Sequence, residues 1–97
     1  MIKEKAATRV DTQIVRETLS QTYTVSANGY YEGELNVAKN GYTFIASVGF
    51  AITGEDSSNA NVFKFYKVGN AMRYSVKSTS SSTKNQEIYF YCLYVKD

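Results

Sequence analysis

Ninety-seven residues with a formal net charge of +2 make one small domain and leave no room for a second core. Eleven basic residues against nine acidic ones, with no run of Lys or Arg, argue against nucleic acid as a partner. Nine tyrosines and five phenylalanines, with no histidine, proline or tryptophan, suit pleated, half-buried surfaces. The same list removes Ser–His and Cys–His nucleophile pairs and imidazole metal sites.

Residues 1–11 are charged and carry no sustained pattern, which predicts an arm or linker stub ahead of one β-sandwich domain over 12–97. Met1-Ile2-Lys3-Glu4-Lys5 leads into polar residues and not into an apolar h-region, so the expectation is synthesis in the cytoplasm without a signal peptide. No stretch approaches the ~20 apolar residues of a membrane span, and no membrane partner is expected. From Thr12 the pattern is strand-like: Ile14 and Val15 first, then Tyr23 and Val25 alternating with threonines. Asn28-Gly29 is a turn signal. Tyr31, Gly33, Leu35 and Val37 then alternate with Glu32, Glu34 and Asn36, one face toward a core and one toward water.

Asn40-Gly41 predicts a second turn before a long strand over Tyr42 to Ile52. Simple alternation there places Phe44, Ala46, Val48, Phe50 and Ile52 on one face, and Thr43, Ile45, Ser47, Gly49 and Ala51 on the other. A polar loop over Thr53 to Asn61 separates this strand from Val62–Val68. Gly69-Asn70 joins that run to Ala71–Lys77 as a hairpin, with Met72, Tyr74 and Val76 on one side. After a Ser/Thr-rich loop to Asn85, the last strand over Glu87 to Val95 is apolar on both faces. Such a strand is either central in its sheet or covered by another subunit. The expected fold is all-β, an antiparallel, jelly-roll-like sandwich of about seven short strands.

Candidates for chemistry are few, and the chain is expected to be no enzyme and to need no cofactor. Glu32 and Glu34 share a strand face and could imitate a carboxylate pair, but an i, i+2 spacing describes an ordinary solvated face. The loop Glu55 to Asn61 carries oxygen ligands, though it lacks the acidic density of a calcium loop. Cys92 has no cationic partner in its strand and reads as a buried, inert thiol. Tyrosine, with a flat apolar face and a hydroxyl, is a common recognition residue. Tyr30, Tyr42 and Tyr66, at strand ends or opposite the presumed core, are the candidate ligand-binding residues. Tyr89, Tyr91 and Leu93 of the last strand are the candidate oligomer interface.

The run Val37-Ala38-Lys39-Asn40-Gly41-Tyr42-Thr43-Phe44-Ile45-Ala46-Ser47-Val48-Gly49-Phe50 and the ending Leu93-Tyr94-Val95-Lys96 carry a resemblance. Over residues 20 to 97 the chain resembles the small C-terminal β-domains of tail-fibre and related structural proteins of phages and prophages of Gram-positive, often gut, bacteria. The resemblance implies a virion-associated structural or receptor-binding module. It implies a homo-oligomer, specifically a trimer, and a cell-surface glycan as ligand. A free-standing protein–protein interaction domain is the alternative.

Overall fold

A computed structural model describes residues 13–97; the arm expected over residues 1–11 lies outside them. Six strands follow in chain order: β1 Ile14–Val25, β2 Tyr30–Asn36, β3 Tyr42–Gly54, β4 Ala60–Val68, β5 Ala71–Ser78 and β6 Lys84–Lys96. A short 3-10 turn at Ser57–Asn59 interrupts the loop before β4. The two strand-like segments around Ile14 and Tyr23 are one continuous strand: Arg16, Thr18, Ser20 and Thr22 fill its solvent face, while Glu17 and Gln21 lie on the inner face, bonded to Lys39 and to Tyr74.

The strands form two antiparallel three-stranded sheets, sheet A in the order β1-β6-β3 and sheet B in the order β2-β5-β4. Every connection except β4–β5 changes sheet, which is the winding of a jelly roll with a reduced strand count. The β4–β5 connection is a two-residue hairpin. Gly69 takes φ +59 at its first position, a conformation that costs glycine nothing.

Packing of the two sheets is carried by aromatic rings. Phe90 of β6 lies stacked on Phe65 of β4, with ring centroids 5.3 Å apart, and meets Tyr74 of β5 at 5.2 Å. Tyr23 of β1 stacks on Tyr31 of β2 at 4.8 Å. Around them Val25, Val37, Met72, Val76, Ile88, Cys92 and Tyr94 are buried. Buried hydroxyls find partners: Tyr94 donates to the Val37 carbonyl at 2.6 Å and Tyr23 to Gln86 Oε1 at 2.7 Å. No buried side-chain nitrogen or oxygen among the described residues lacks a hydrogen bond, as a small core with little stability to spare requires.

β6 is the central strand of sheet A, pairing with β1 on one side and β3 on the other. Its central position accounts for the apolar inner row Ile88, Phe90, Cys92 and Tyr94. The expected faces of β3 are corrected by two register shifts, one between Phe44 and Ala46 and one between Ser47 and Gly49. Each bulge adds a residue opposite β6 and flips the alternation. Phe44, Ser47, Phe50 and Ile52 therefore stand opposite inward β6 residues, and Ala46, Gly49 and Ala51 opposite outward ones. Ile45 and Val48, the added residues, are exposed.

Candidate functional site

The outer face of sheet B is built in three rungs, each crossing β2, β5 and β4. Tyr30, Lys77 and Asn61 form the first, Glu32, Ser75 and Lys64 the second, and Glu34, Arg73 and Tyr66 the third. Alternation puts these side chains outward, because Tyr31, Leu35, Met72, Tyr74 and Val76 occupy the opposite, packed face. Between Val62 and Lys64 the β4 register shifts. That bulge lets Phe65 point inward onto Phe90 while Phe63 is 50% exposed and packs edge-on against Tyr30 at 5.5 Å.

Tyr30 and Tyr66 are among the most exposed aromatic rings, at 64% and 47%. They stand four residues apart along the β5 ladder, about 13 Å at the usual rise of a strand. Between them lies a shallow depression of about 310 Å³, lined by Glu32, Gly33, Glu34, Lys64, Tyr66, Arg73, Tyr74 and Ser75. Its floor is low because Ser75, between Glu32 and Lys64, is small, while Gly33 faces the packed side of the sheet. A Cβ at Gly33 would sit 2.4 Å from the Tyr74 ring, which crosses beneath that position.

Charges on this face are ordered by local pairing. Arg73 Nε donates to Glu34 Oε2 at 2.7 Å. The Glu34 carboxylate first, and the Tyr66 hydroxyl second, hold the guanidinium above its ordinary pKa. The Lys77 ammonium sits 4.8 Å from the Tyr30 ring centre and donates to the Asn28 carbonyl. Glu34 is thus committed to an ion pair, so Glu32 and Glu34 do not form a free carboxylate pair. What remains is a strip of exposed aromatic faces, two carboxylates, two ammonium groups and a guanidinium. Such a strip can stack on flat apolar rings and exchange hydrogen bonds with hydroxyls.

Tyr42, the third candidate, is not brought to this face. It lies on β3 beside the β2–β3 turn, with Lys39 4.7 Å and Lys96 5.5 Å from its ring centre. Lys39 itself pairs with Glu17 at 2.6 Å, and that hydrogen bond raises the ammonium's pKa. Phe63 and Arg73 belong to the sheet B face and were not singled out by sequence reasoning. Phe63 is itself the residue added by the β4 bulge, and nothing in Asn61-Val62-Phe63-Lys64-Phe65 marks it as extra. Arg73 is recognisable only once β5 is paired to β2.

Tyr89, Tyr91 and Leu93 stand together on the outer face of sheet A, opposite Ser20, Thr18 and Arg16 of β1 and opposite Ala51, Gly49 and Ala46 of β3. All three are half-buried. The Tyr91 ring leans over Gly49, 3.6 Å from where a Cβ would stand, and the Arg16 guanidinium lies 4.8 Å above that ring. Tyr89 donates to Glu87 at 2.8 Å, and the carboxylate raises the phenol's pKa.

A larger depression, of about 530 Å³, opens at one end of sheet A among Thr22, Thr24, Thr53, Asn85 and Glu87. Its one aromatic ring, Tyr23, is buried and already bonded to Gln86, so it offers no stacking surface. The loop over residues 55–61, with its oxygen ligands, directs its carboxylates inward to its own neighbours. Asp56 accepts from Ser80 and from Asn59, the latter at 2.9 Å, and Glu55 accepts the Asn85 N–H at 2.9 Å. These bonds hold the Asp56 carboxyl below its ordinary pKa. Among the described residues no group of three or more Cys, Asp or Glu side chains is placed to hold a metal ion. Burial pushes the Cys92 thiol up, which disfavours its reactive thiolate.

No protein-family model matches the chain, and no curated protein or solved structure is found to be similar to it.

Proposed function

We propose that the chain is a non-enzymatic recognition module of the phage-type structural kind, binding a cell-surface saccharide on the outer face of sheet B. The observation that carries this reading is the strip of exposed rings Tyr30, Phe63 and Tyr66 flanking a polar depression on a rigid sheet. Sugars present apolar C–H faces alternating with hydroxyl edges. An exposed aromatic ring suits the former, while Glu32, Lys64 and Arg73 suit the latter. Arg73 is already held by Glu34, and Tyr30 by Lys77 and Phe63, so binding need not order those side chains. The non-enzymatic part is supported by a sequence without histidine and by the commitment of Glu34 to Arg73. Placement on a virion rests on the sequence resemblance.

A panel of cell-wall and capsule saccharides tests the reading. At least one should bind at millimolar or lower concentration, and Tyr66→Ala should weaken it about fivefold or more, the worth of roughly one aromatic contact. Tyr66 is exposed, so that variant should keep the parent's circular dichroism spectrum. No binding across the panel removes the saccharide. A second reading, a free-standing protein–protein interaction domain, is favoured by the open edge of β1.

A further inference from the structure

Sheet edges carry unpaired backbone groups, and proteins normally guard them with bulges, short strands, Lys or Pro. The edge strand β3 carries two bulges and β4 carries one. β2 has seven residues, and its Glu34 carbonyl is taken by Gln21 Nε2 at 3.1 Å. β1 differs from all three. It pairs with β6 without a register shift from Ile14 to Val25 and contains neither Pro nor Lys.

The direction of its backbone groups follows from pairing parity. The Lys96 N–H donates to the Gln13 carbonyl at 2.9 Å, so this opposed pair is of the hydrogen-bonded type. Alternation then assigns the odd-numbered residues of β1 to the β6 ladder. Bonds on the other side of β6 agree, since Asp97 N–H donates to Gly41 at 3.0 Å and Glu55 N–H to Asn85 at 3.1 Å. The backbone groups of Ile14, Arg16, Thr18, Ser20, Thr22 and Thr24 therefore point away from the sheet, and all six residues are exposed. Neither charge on β1 guards this edge: Arg16 lies over Tyr91 and Glu17 pairs with Lys39.

We propose that β1 pairs antiparallel with β1 of a second copy across a two-fold axis through Leu19, joining the two A sheets into one six-stranded sheet. Partners across such a pair must share a face, so their residue numbers must sum to an even value. With Leu19 on the axis, Leu19 meets itself, Val15 meets Tyr23 and Glu17 meets Gln21 on the inner face. Outside, Thr18 meets Ser20 and Arg16 meets Thr22. Moving the axis to Thr18 sets Glu17 against Leu19 and Val15 against Gln21. Moving it to Ser20 sets Glu17 against Tyr23 and Leu19 against Gln21. Of these three registers, the Leu19 one alone matches apolar with apolar and polar with polar. The interface does not use the sheet B face and stands independently of saccharide binding.

Light scattering on the full chain at high micromolar concentration should give twice the 10.9 kDa of one chain. Thr18→Pro removes an outward N–H and leaves the β6 ladder intact, so it should halve the mass while keeping the circular dichroism spectrum. Under mild oxidation Leu19→Cys should crosslink to its own copy, since opposed residues of a non-hydrogen-bonded pair have Cα atoms about 4.5 Å apart, within disulfide reach. Buried Cys92 keeps the background low. A monomeric parent chain overturns the proposal, as does a trimer, which would instead point to Tyr89, Tyr91 and Leu93. If Thr18→Pro does not fold, failure of Leu19→Cys to crosslink overturns it equally.

Discussion

Removing the Tyr94 hydroxyl tests how this small core balances its buried polar groups. Tyr94 is almost fully buried in β6, and its hydroxyl donates to the carbonyl of Val37, itself buried, at 2.6 Å. Tyr94→Phe keeps the ring and its edge-on contact with Phe44 but leaves that carbonyl without this donor. A buried acceptor left unpaired costs about 1–3 kcal/mol. With the urea dependence usual for small domains, that lowers the unfolding midpoint by about 1 M.

The effect should also depend on pH. Burial first, then the nearby Cys92 and Glu17, push the Tyr94 phenol up to about 12 from an ordinary value of 10.0. A folded pKa raised above the unfolded one means stabilisation that is complete below pH 10 and lost as pH rises through about 12. The phenylalanine variant has no such group to ionise, so its deficit should shrink across that window. The loss can reach about 3 kcal/mol for a two-unit shift. Urea unfolding of both proteins at pH 7, 10 and 11.5 measures it. A variant as stable as its parent at pH 7, or a deficit unchanged through pH 11.5, refutes the reasoning.

Gly33→Ala should destabilise the fold by about 1–3 kcal/mol, because the added methyl meets the buried Tyr74 ring; thermal unfolding against the parent reads it, and an unchanged Tm contradicts it. Cys92 should resist alkylation in native buffer, since it is buried and its pKa is raised. Its rate should fall below that of an unstructured cysteine by the folded-to-open ratio, on the order of 10³ or more, and rapid labelling of the native protein would show an open core.

Most of the architecture was legible where strict alternation met a clear turn. In β2 the split between Tyr31, Gly33, Leu35 and Glu32, Glu34, Asn36 is the one observed, and the Gly69-Asn70 hairpin joins β4 to β5. The apolar inner row of β6, Ile88, Phe90, Cys92 and Tyr94, fits its central place in sheet A. The bulges were not legible. Ile45, Val48 and Phe63 are ordinary strand residues, and only the register of the partner strand shows them to be extra. On β3 the second bulge restores the alternation that the first reverses, so only Ala46, Ser47 and Val48 depart from the expected faces; on β4 Phe63 escaped notice as a neighbour of Tyr30. Alternation and strand ends single out Tyr30 and Tyr66 as candidates, but their common face depends on β5 lying between β2 and β4. Tyr42 met the same sequence criterion and belongs to another part of the molecule.

The saccharide claim is tested most directly by chemical-shift mapping on isotope-labelled protein titrated with the cell-wall and capsule panel. The account predicts shifts concentrated on Tyr30, Phe63, Lys64, Tyr66, Arg73 and Ser75, saturating with one ligand. Absence of shifts at millimolar sugar, or shifts confined to the outer face of sheet A around Tyr89 and Tyr91, would contradict it.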